Sequence, residues 1–164
     1  MAELDILRYA AFTTEPDGGN PAGVVLGADS LSDAEMQRIA AEIDYAETAF
    51  VTGEEGGIFG IRYFSPIAEV PFCGHATVAT AIALAERDGA LGPVVFRTPV
   101  GLVEIVRSRD VSGLRAAFTS IEPVVAELSG ADLDAILWLL GVPYAALDPE
   151  LPPRLPNAGN PHPV

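Results

Sequence analysis

The sequence predicts an α+β domain in which a curved sheet encloses one buried helix. Short apolar runs separated by glycine, proline and acidic turns recur over the first 118 residues, as in connected strands. A helical stretch over about residues 74–88 carries no charge from His75 to Ala85, so we expect burial on every side. Two other helical stretches have one apolar face, which is typical of helices that pack on a surface.

The first elements are a strand, a loop and a surface helix. Residues 4–12 predict the strand, and the turn-rich loop EPDGGNPAG leads to a second short strand, VVL. Ser32 and Glu35 predict a capping box at the start of the helix. The apolar face of this helix comprises Met36, Ile39, Ala40 and Ile43.

A hairpin, the buried helix and a third helix follow. ETAFV and IFGIRYF, joined by the turn EEGG, predict the hairpin. Gly89 is suited to end the buried helix with a left-handed cap, and VVFRTPVGLVEIVR and GLRAAF predict later strands. Ser129 then caps the third helix. Its apolar face comprises Leu133, Ile136, Leu137 and Leu140.

The composition argues against several classes of function. With 23 acidic residues against nine basic ones, the net charge is −14, so we expect no binding to nucleic acid. Every basic residue is arginine, which excludes a lysine Schiff base and a Walker-type phosphate loop. One cysteine and two histidines are a small supply for a metal site, so we expect no metal. The apolar runs are shorter than a membrane span requires, and the first residues lack the pattern of a signal peptide. We therefore expect no membrane association and a cytoplasmic location.

The start of the buried helix is a candidate anion site. The amides of Gly74, His75, Ala76 and Thr77 lie at the positive end of the helix dipole, and a substrate carboxylate or developing enolate would suit it. Gly74 would let a ligand approach the backbone, and Thr77 would add a hydroxyl. Every helix has such an end, so the ordinary interpretation stays open.

Four side chains are further candidates, each with an ordinary alternative. Glu47 lies where a helix gives way to an apolar strand, which suits proton transfer, although most glutamates are simply solvated. His75 suits acid–base chemistry or a structural hydrogen bond. Cys73 suits a nucleophile, a thiol base or a small core residue. Asn20 lies in a turn, which explains it without a function.

Four segments in this order resemble the phenazine-biosynthesis PhzF-like family: GNPAGVV at 19–25, ETAFV at 47–51, IRYFSP at 61–66 and EVPFCGHATVA at 69–79. The final AGNPHPV is similar too, so the resemblance runs along essentially the whole chain. It implies the diaminopimelate epimerase-like fold. In that fold, two similar domains each wrap a barrel-like, mostly antiparallel sheet around a central helix and hold the substrate between them.

The resemblance also implies an activity. It is an isomerase or epimerase reaction that moves a proton between carbon atoms of a small carboxylated metabolite, without a cofactor or a metal. Glu47 would be the acid and base, and His75 would assist. The substrate-binding residues would be Asn20, Cys73, Gly74, Ala76 and Thr77.

A thiol mechanism at Cys73 is the alternative chemistry. The CGH segment is similar to the motif of proline racemases and diaminopimelate epimerases, in which a cysteine before the glycine is a thiol base. Those enzymes pair two thiols across the substrate, and this sequence has one cysteine. We therefore interpret Cys73 as lining the pocket and Glu47 as the main base.

The family is close to twice as long as this chain, and its second half completes the site. The resemblance implies that residues 1–118 form the first domain, and that residues 119–164 form a linker, a helix and an early strand of a truncated second domain. The apolar face of the third helix would then lack its own core. We therefore expect a homodimer or a complementary chain that carries the second half. A catalytically silent fragment or a binding module is the alternative.

Overall fold

The computed structural model describes residues 4–15 and 17–164, and the chain divides into two compact units, Met1–Thr119 and Ser120–Val164. In the described part of the first unit, eight strands form one sheet, accompanied by two helices. The strands are β1 Ile6–Ala11, β2 Asn20–Val25, β3 Glu47–Glu55, β4 Ile58–Phe64, β5 Glu69–Val70, β6 Gly92–Thr98, β7 Gly101–Asp110 and β8 Gly113–Phe118. The helices are α1 Asp33–Ile43 and α2 Gly74–Asp88.

The sheet is mixed and curls around α2. Its strand order is β1-β2-β3-β4-β6-β7-β8, and β5 pairs with β4. The pairs β2–β3 and β4–β6 are parallel, and the other pairs are antiparallel. The helix α2 packs against β1, β2, β3, β7 and β8. The prediction of an α+β fold with a mostly antiparallel, barrel-like sheet around a central helix is therefore confirmed.

One side of α2 is less buried than the sequence predicts. Val78 and Ile82 are only half-buried, whereas the other residues from His75 to Ala85 are buried. Both line a cleft of about 590 Å³ between the edge strands β1 and β8. The sheet is thus an open half-barrel, and the expectation of burial on every side is wrong along this seam.

The helix α1 covers the outer face of the sheet. The Ser32 hydroxyl accepts a hydrogen bond from the Glu35 amide, and the Glu35 carboxylate accepts one from the Ser32 amide, which confirms the capping box. The predicted apolar face is buried and packs in a second core with Phe50 and Phe64, whose rings meet edge to face at 5.6 Å. This second core supports the strand that carries Glu47.

The strand β2 begins earlier than predicted, at Asn20, so the expectation that NPAG belongs to a turn is wrong. Its whole length pairs with β1, and Asn20 lies opposite Ala11. Gly23 is needed inside the strand because a Cβ atom there would lie 2.6 Å from the Thr48 hydroxyl oxygen on β3. Close approach to β3, and not a turn, therefore accounts for this glycine.

The hairpin of β3 and β4 agrees with the sequence. Gly56 and Gly57 form its turn, with φ angles of 61° and 82°. Two consecutive positive φ angles match the twist of the flanking strands and strongly favour glycine.

The second unit contains β9 Val124–Glu127, α3 Gly130–Leu140, a 3-10 turn at Tyr144–Ala146 and β10 Arg154–Asn157. The two strands form an antiparallel pair, and Ser129 caps α3 as predicted. The apolar face of α3 is partly covered: Leu137 is buried, whereas Leu140 is 69% exposed. None of the described helices combines the length and the apolar content that a membrane span requires.

An ion-pair network around Arg62 makes the stability of the first unit depend on pH. The Arg62 guanidinium contacts the Asp33 carboxylate at 2.6 Å and the Glu69 carboxylate at 2.7 Å, joining α1, β4 and β5. The Arg62 hydrogen bond and charge hold the pKa of Asp33 below its ordinary value of 3.8. The native state then binds fewer protons than the unfolded state in this pH range. The stabilisation that the ionised Asp33 carboxylate contributes is therefore complete above its ordinary pKa and is lost as pH falls through the lower pKa of the native state.

We therefore expect the urea midpoint to fall as pH decreases below about 4. Asp33→Asn should lower the midpoint at pH 7 and flatten its decline in acid. The matched control is Asp17→Asn, which changes an exposed loop aspartate. Equal acid profiles for Asp33→Asn and the unchanged chain would contradict the assignment.

Candidate active site

Three titratable side chains meet at the amino end of α2. Glu47 is the first residue of β3, Cys73 is the N-cap of α2, and His75 lies in the first turn of that helix. Their carboxylate, sulfur and imidazole atoms lie within 4.8 Å of one another. Because β3 lies against α2 within the curled sheet, positions 26 residues apart in sequence become neighbours. Among the described residues, these three side chains form the group whose donor atoms lie close enough together to hold a metal ion.

The imidazole of His75 faces the other two groups with different ring nitrogens. His75 Nε2 is 3.5 Å from Glu47 Oε2, and His75 Nδ1 is 3.2 Å from Cys73 Sγ. The His75 side chain is 9% exposed, whereas the Glu47 side chain is 25% exposed. A small molecule in solution can therefore reach the carboxylate, while the imidazole supports it from the protein side.

The thiol of Cys73 is held in its protonated form. Burial raises its pKa to about 12, and the negative charge of Glu47 acts in the same direction. The amides of His75 and Ala76 oppose this shift by hydrogen bonding to the sulfur. The burial effect is larger, so Cys73 presents a neutral thiol at neutral pH.

We expect Cys73 to react slowly with iodoacetamide in the folded chain. A rise in pKa from 9.0 to about 12 lowers the thiolate fraction roughly a thousandfold at neutral pH, and only the thiolate is nucleophilic. The measurement is the alkylation rate by mass spectrometry between pH 7 and 10. The chain unfolded in guanidinium is the control, since its single cysteine is then exposed. Equal rates in the folded and unfolded chain would contradict the high pKa.

Thr77 anchors the helix and has no hydrogen free for a ligand. Its amide and its hydroxyl both donate to the Cys73 carbonyl, at 3.0 and 2.6 Å. The Tyr63 hydroxyl on β4 donates in turn to the Thr77 oxygen at 2.7 Å. The structure thus places Thr77 in a buried network, and the candidate anion-binding amides are those of Gly74, His75 and Ala76, of which the last two also face the Cys73 sulfur.

Gly74 is in contact with an aromatic ring. A Cβ atom at this position would lie 3.2 Å from the Phe118 ring at the end of β8, closer than ordinary van der Waals contact. The Phe118 ring also meets the Phe72 ring edge to face, with 5.9 Å between centroids. Glycine therefore suits the close packing here, since a Cβ atom would require the Phe118 ring to move by a few tenths of an ångström. The sequence analysis expected a ligand, and not this ring, to approach Gly74.

Asn20 lies at the same end of the sheet as Glu47. In the parallel pairing of β2 and β3, Ala22 is opposite Glu47, and Asn20 is two residues earlier on β2. Side chains alternate along a strand, so Asn20 shares the face of Ala22 and Glu47. Asn20 is exposed and available to a molecule bound near Glu47.

Tyr63 and Phe118 are site residues that the sequence analysis did not identify. Tyr63 lies opposite Ala49, two residues after Glu47, so it shares the face of the Glu47 side chain. The alternation of IFGIRYF contains that signal once the hairpin register is known. Phe118 carries no comparable signal, because only the curl of the sheet brings β8 to the start of α2.

Comparisons with known proteins identify similar chains. The family model described as phenazine biosynthesis-like protein matches residues 9–163. An uncharacterized isomerase of Escherichia coli O157:H7, YddE, is 37% identical over 157 residues, which are 94% of this chain and 53% of that protein. A crystal structure of a Bacillus anthracis phenazine biosynthesis protein of the PhzF family is 34% identical, with a TM-score of 0.72 over 96% of this chain and 54% of that one.

A further solved structure confirms the fold class. The predicted epimerase from Pseudomonas aeruginosa is 24% identical and superposes with a TM-score of 0.81, over 97% of this chain and 57% of that one. At this identity the likeness concerns the fold, which is the epimerase-like fold expected from the sequence. These three relatives match the chain along most of its length, and the chain spans about half of the length of each relative.

Proposed function

This chain belongs to the phenazine biosynthesis-like protein family, and we propose that it supplies the proton-transfer half of an isomerase acting on a small carboxylated metabolite. The observation that carries the proposal is the partly exposed Glu47 carboxylate, 3.5 Å from a buried imidazole at the amino end of the central helix. A carboxylate in such a place can both accept and return a proton.

In this mechanism, Glu47 takes a proton from a carbon next to a carbonyl or carboxyl group. The electron pair of the broken carbon–hydrogen bond moves onto the carbonyl oxygen, which gains negative charge. The Glu47 carboxylic acid then returns the proton to a different carbon or to the opposite face of the same carbon. The substrate is isomerised, and the side chain recovers its starting form.

The amino end of α2 stabilises the negative charge. The first-turn amides, including those of Gly74 and Ala76, lie at the positive end of the helix dipole. His75 orients the Glu47 carboxylate, and the exposed Asn20 adds a polar contact for the substrate. These groups suit an anionic substrate, although the whole chain carries a net charge of −14.

The neutral thiol favours Glu47 over Cys73 as the base. A thiol base must be deprotonated to accept a proton from carbon, and the high pKa of Cys73 makes its thiolate scarce at neutral pH. Cys73 in this proposal lines the site. Its free thiol also suits a reducing compartment, and we include a cytoplasmic location in the proposal.

The complete site is proposed to need a second body, either another copy or a chain with the second half of the family. The exposed apolar residues of α3 support this, since Trp138, Leu139 and Leu140 are 81%, 74% and 69% exposed. Light scattering tests it: we expect a mass of two chains, or complex formation with the second half of the Escherichia coli relative. A monomer that binds neither would favour a catalytically silent binding module.

The activity is tested by deuterium incorporation from heavy water. The chain, alone and with that second half, is incubated with amino acids, hydroxy acids and unsaturated carboxylates, and carbon-bound deuterium is measured by mass spectrometry. We expect incorporation into one substrate class in at least one assembly. Absence of incorporation in both, with a folded complex shown by circular dichroism, would contradict the isomerase proposal.

A further inference from the structure

The cluster of Glu47, Cys73 and His75 has the composition of a metal site. It combines a carboxylate, a thiol and an imidazole, whose donor atoms lie within 4.8 Å of one another. Zinc and related borderline divalent cations are bound by these three ligand types, whereas magnesium and calcium prefer oxygen ligands alone. Cys73 and His75 are buried, and Glu47 is partly exposed, so an ion has a path of entry from the side of the carboxylate.

We propose that Glu47, Cys73 and His75 bind one divalent cation of the zinc class, and that this cation inhibits the chain. The inhibition rests on the proposed role of Glu47 in proton transfer, while the binding does not.

The distances bring three protein ligands close to the spacing that one ion requires. His75 Nε2 lies 3.5 Å from Glu47 Oε2 and 3.9 Å from Cys73 Sγ. With ordinary zinc bond lengths and a tetrahedral angle, the corresponding ligand separations are about 3.3 and about 3.6 Å. Cys73 Sγ lies nearer to His75 Nδ1, at 3.2 Å, so the Nε2 lone pair and the sulfur can share one ion only after the His75 ring and the Cys73 side chain rotate. With His75 bound through Nε2 after that rotation, the fourth position of the ion would hold water.

The charges at the site balance on binding. The cation displaces the proton of the Cys73 thiol, which passes to solvent, and a sulfur–metal bond forms. The thiolate and the Glu47 carboxylate together supply two negative charges for a doubly charged cation, and His75 coordinates as the neutral imidazole. No redox change occurs. A half-buried site tolerates such a neutral assembly better than an isolated ion, and the net charge of −14 favours the approach of cations.

Inhibition follows from the geometry. A Glu47 carboxylate coordinated to the ion is less basic and is held in place by the ion, so it accepts a proton from carbon less readily. In cells, such a site would make the reaction sensitive to the free concentration of zinc.

The test uses cobalt(II), a spectroscopic substitute for zinc, titrated into the full chain. Coordination by a thiolate gives a charge-transfer band, and Cys73 is the single cysteine, so the band reports on this site. We expect saturation at one equivalent, displacement by zinc, and loss of the band in Cys73→Ser. Glu47→Gln and His75→Gln should each weaken cobalt binding at least tenfold, whereas His162→Gln, at the other and exposed histidine, should leave it unchanged.

Two results would overturn the binding. One is no charge-transfer band at millimolar cobalt in a chain that circular dichroism shows to be folded. The other is a band whose affinity is the same in Glu47→Gln and His75→Gln, since that indicates a lone thiol complex. A band that behaves as expected, with deuterium exchange unaffected by saturating zinc, would uphold the binding and overturn the inhibition. Because the optical signal needs no substrate, it also separates this proposal from the proposed isomerase activity.

Discussion

Glu47→Gln is expected to reduce deuterium exchange into the substrate by about 10²–10⁴-fold, the usual contribution of a general acid or base. The amide keeps the shape of the side chain and its place beside His75 and Cys73, but it cannot accept a proton from carbon. The measurement is the initial rate of exchange in the assembly that is active with the unchanged chain. Because binding contacts are largely preserved, we expect the loss in kcat and a small change in KM.

Two comparisons make this result specific to Glu47. Glu104→Gln removes the same charge from an exposed position on β7 of the same unit and should leave the exchange rate unchanged. Cys73→Ala should retain most of the activity, since the thiol is a neutral lining group. Exchange that survives Glu47→Gln but is lost in Cys73→Ala would transfer the role of base to the thiol.

Local elements of this fold are readable from the sequence because their signals are local. The capping box of Ser32 and Glu35 and the hairpin turn at Gly56 and Gly57 depend on residues a few positions apart. The left-handed cap at Gly89, with a φ of 68°, is of the same kind. Each of these features was predicted correctly from the residues alone.

The strand pairing is not local, and the errors follow from that. The segment NPAG has turn chemistry, yet its pairing with β1 and its close approach to Thr48 make it a strand. The half-buried side of α2 depends on the opening between β1 and β8, which no periodicity encodes. Trp138 and Leu139 are exposed on the side of α3 that the apolar face did not include.

The candidate site shows the same division. Glu47, Cys73 and His75 were each weak candidates on their own residue types, and the family resemblance selected them. Their meeting within 4.8 Å depends on the position of β3 beside the start of α2. The thiol pKa depends on burial in the finished fold, as does the commitment of the Thr77 hydroxyl to Cys73. Neither the thiol pKa nor this hydrogen bond can be deduced from the sequence alone.

Leu84→Ala is expected to have the largest effect on stability, because it weakens the helix that carries the site. Leu84 lies on α2, is fully buried, and belongs to the core enclosed by the sheet. Removing its branched side chain loses transfer free energy and leaves a cavity that the surrounding strands cannot close. The free energy of unfolding of the first unit should fall by about 2–5 kcal/mol.

The measurement has to report on the first unit. The single tryptophan, Trp138, lies in the second unit, so far-ultraviolet circular dichroism in urea is preferable to tryptophan fluorescence. Leu102→Ala is the matched control, since this leucine on β7 is 61% exposed and its loss should change stability by less than about 0.5 kcal/mol. A similar, small loss for both variants would mean that α2 is not enclosed as described. The amides and the thiol at its amino end would then not be held against Glu47.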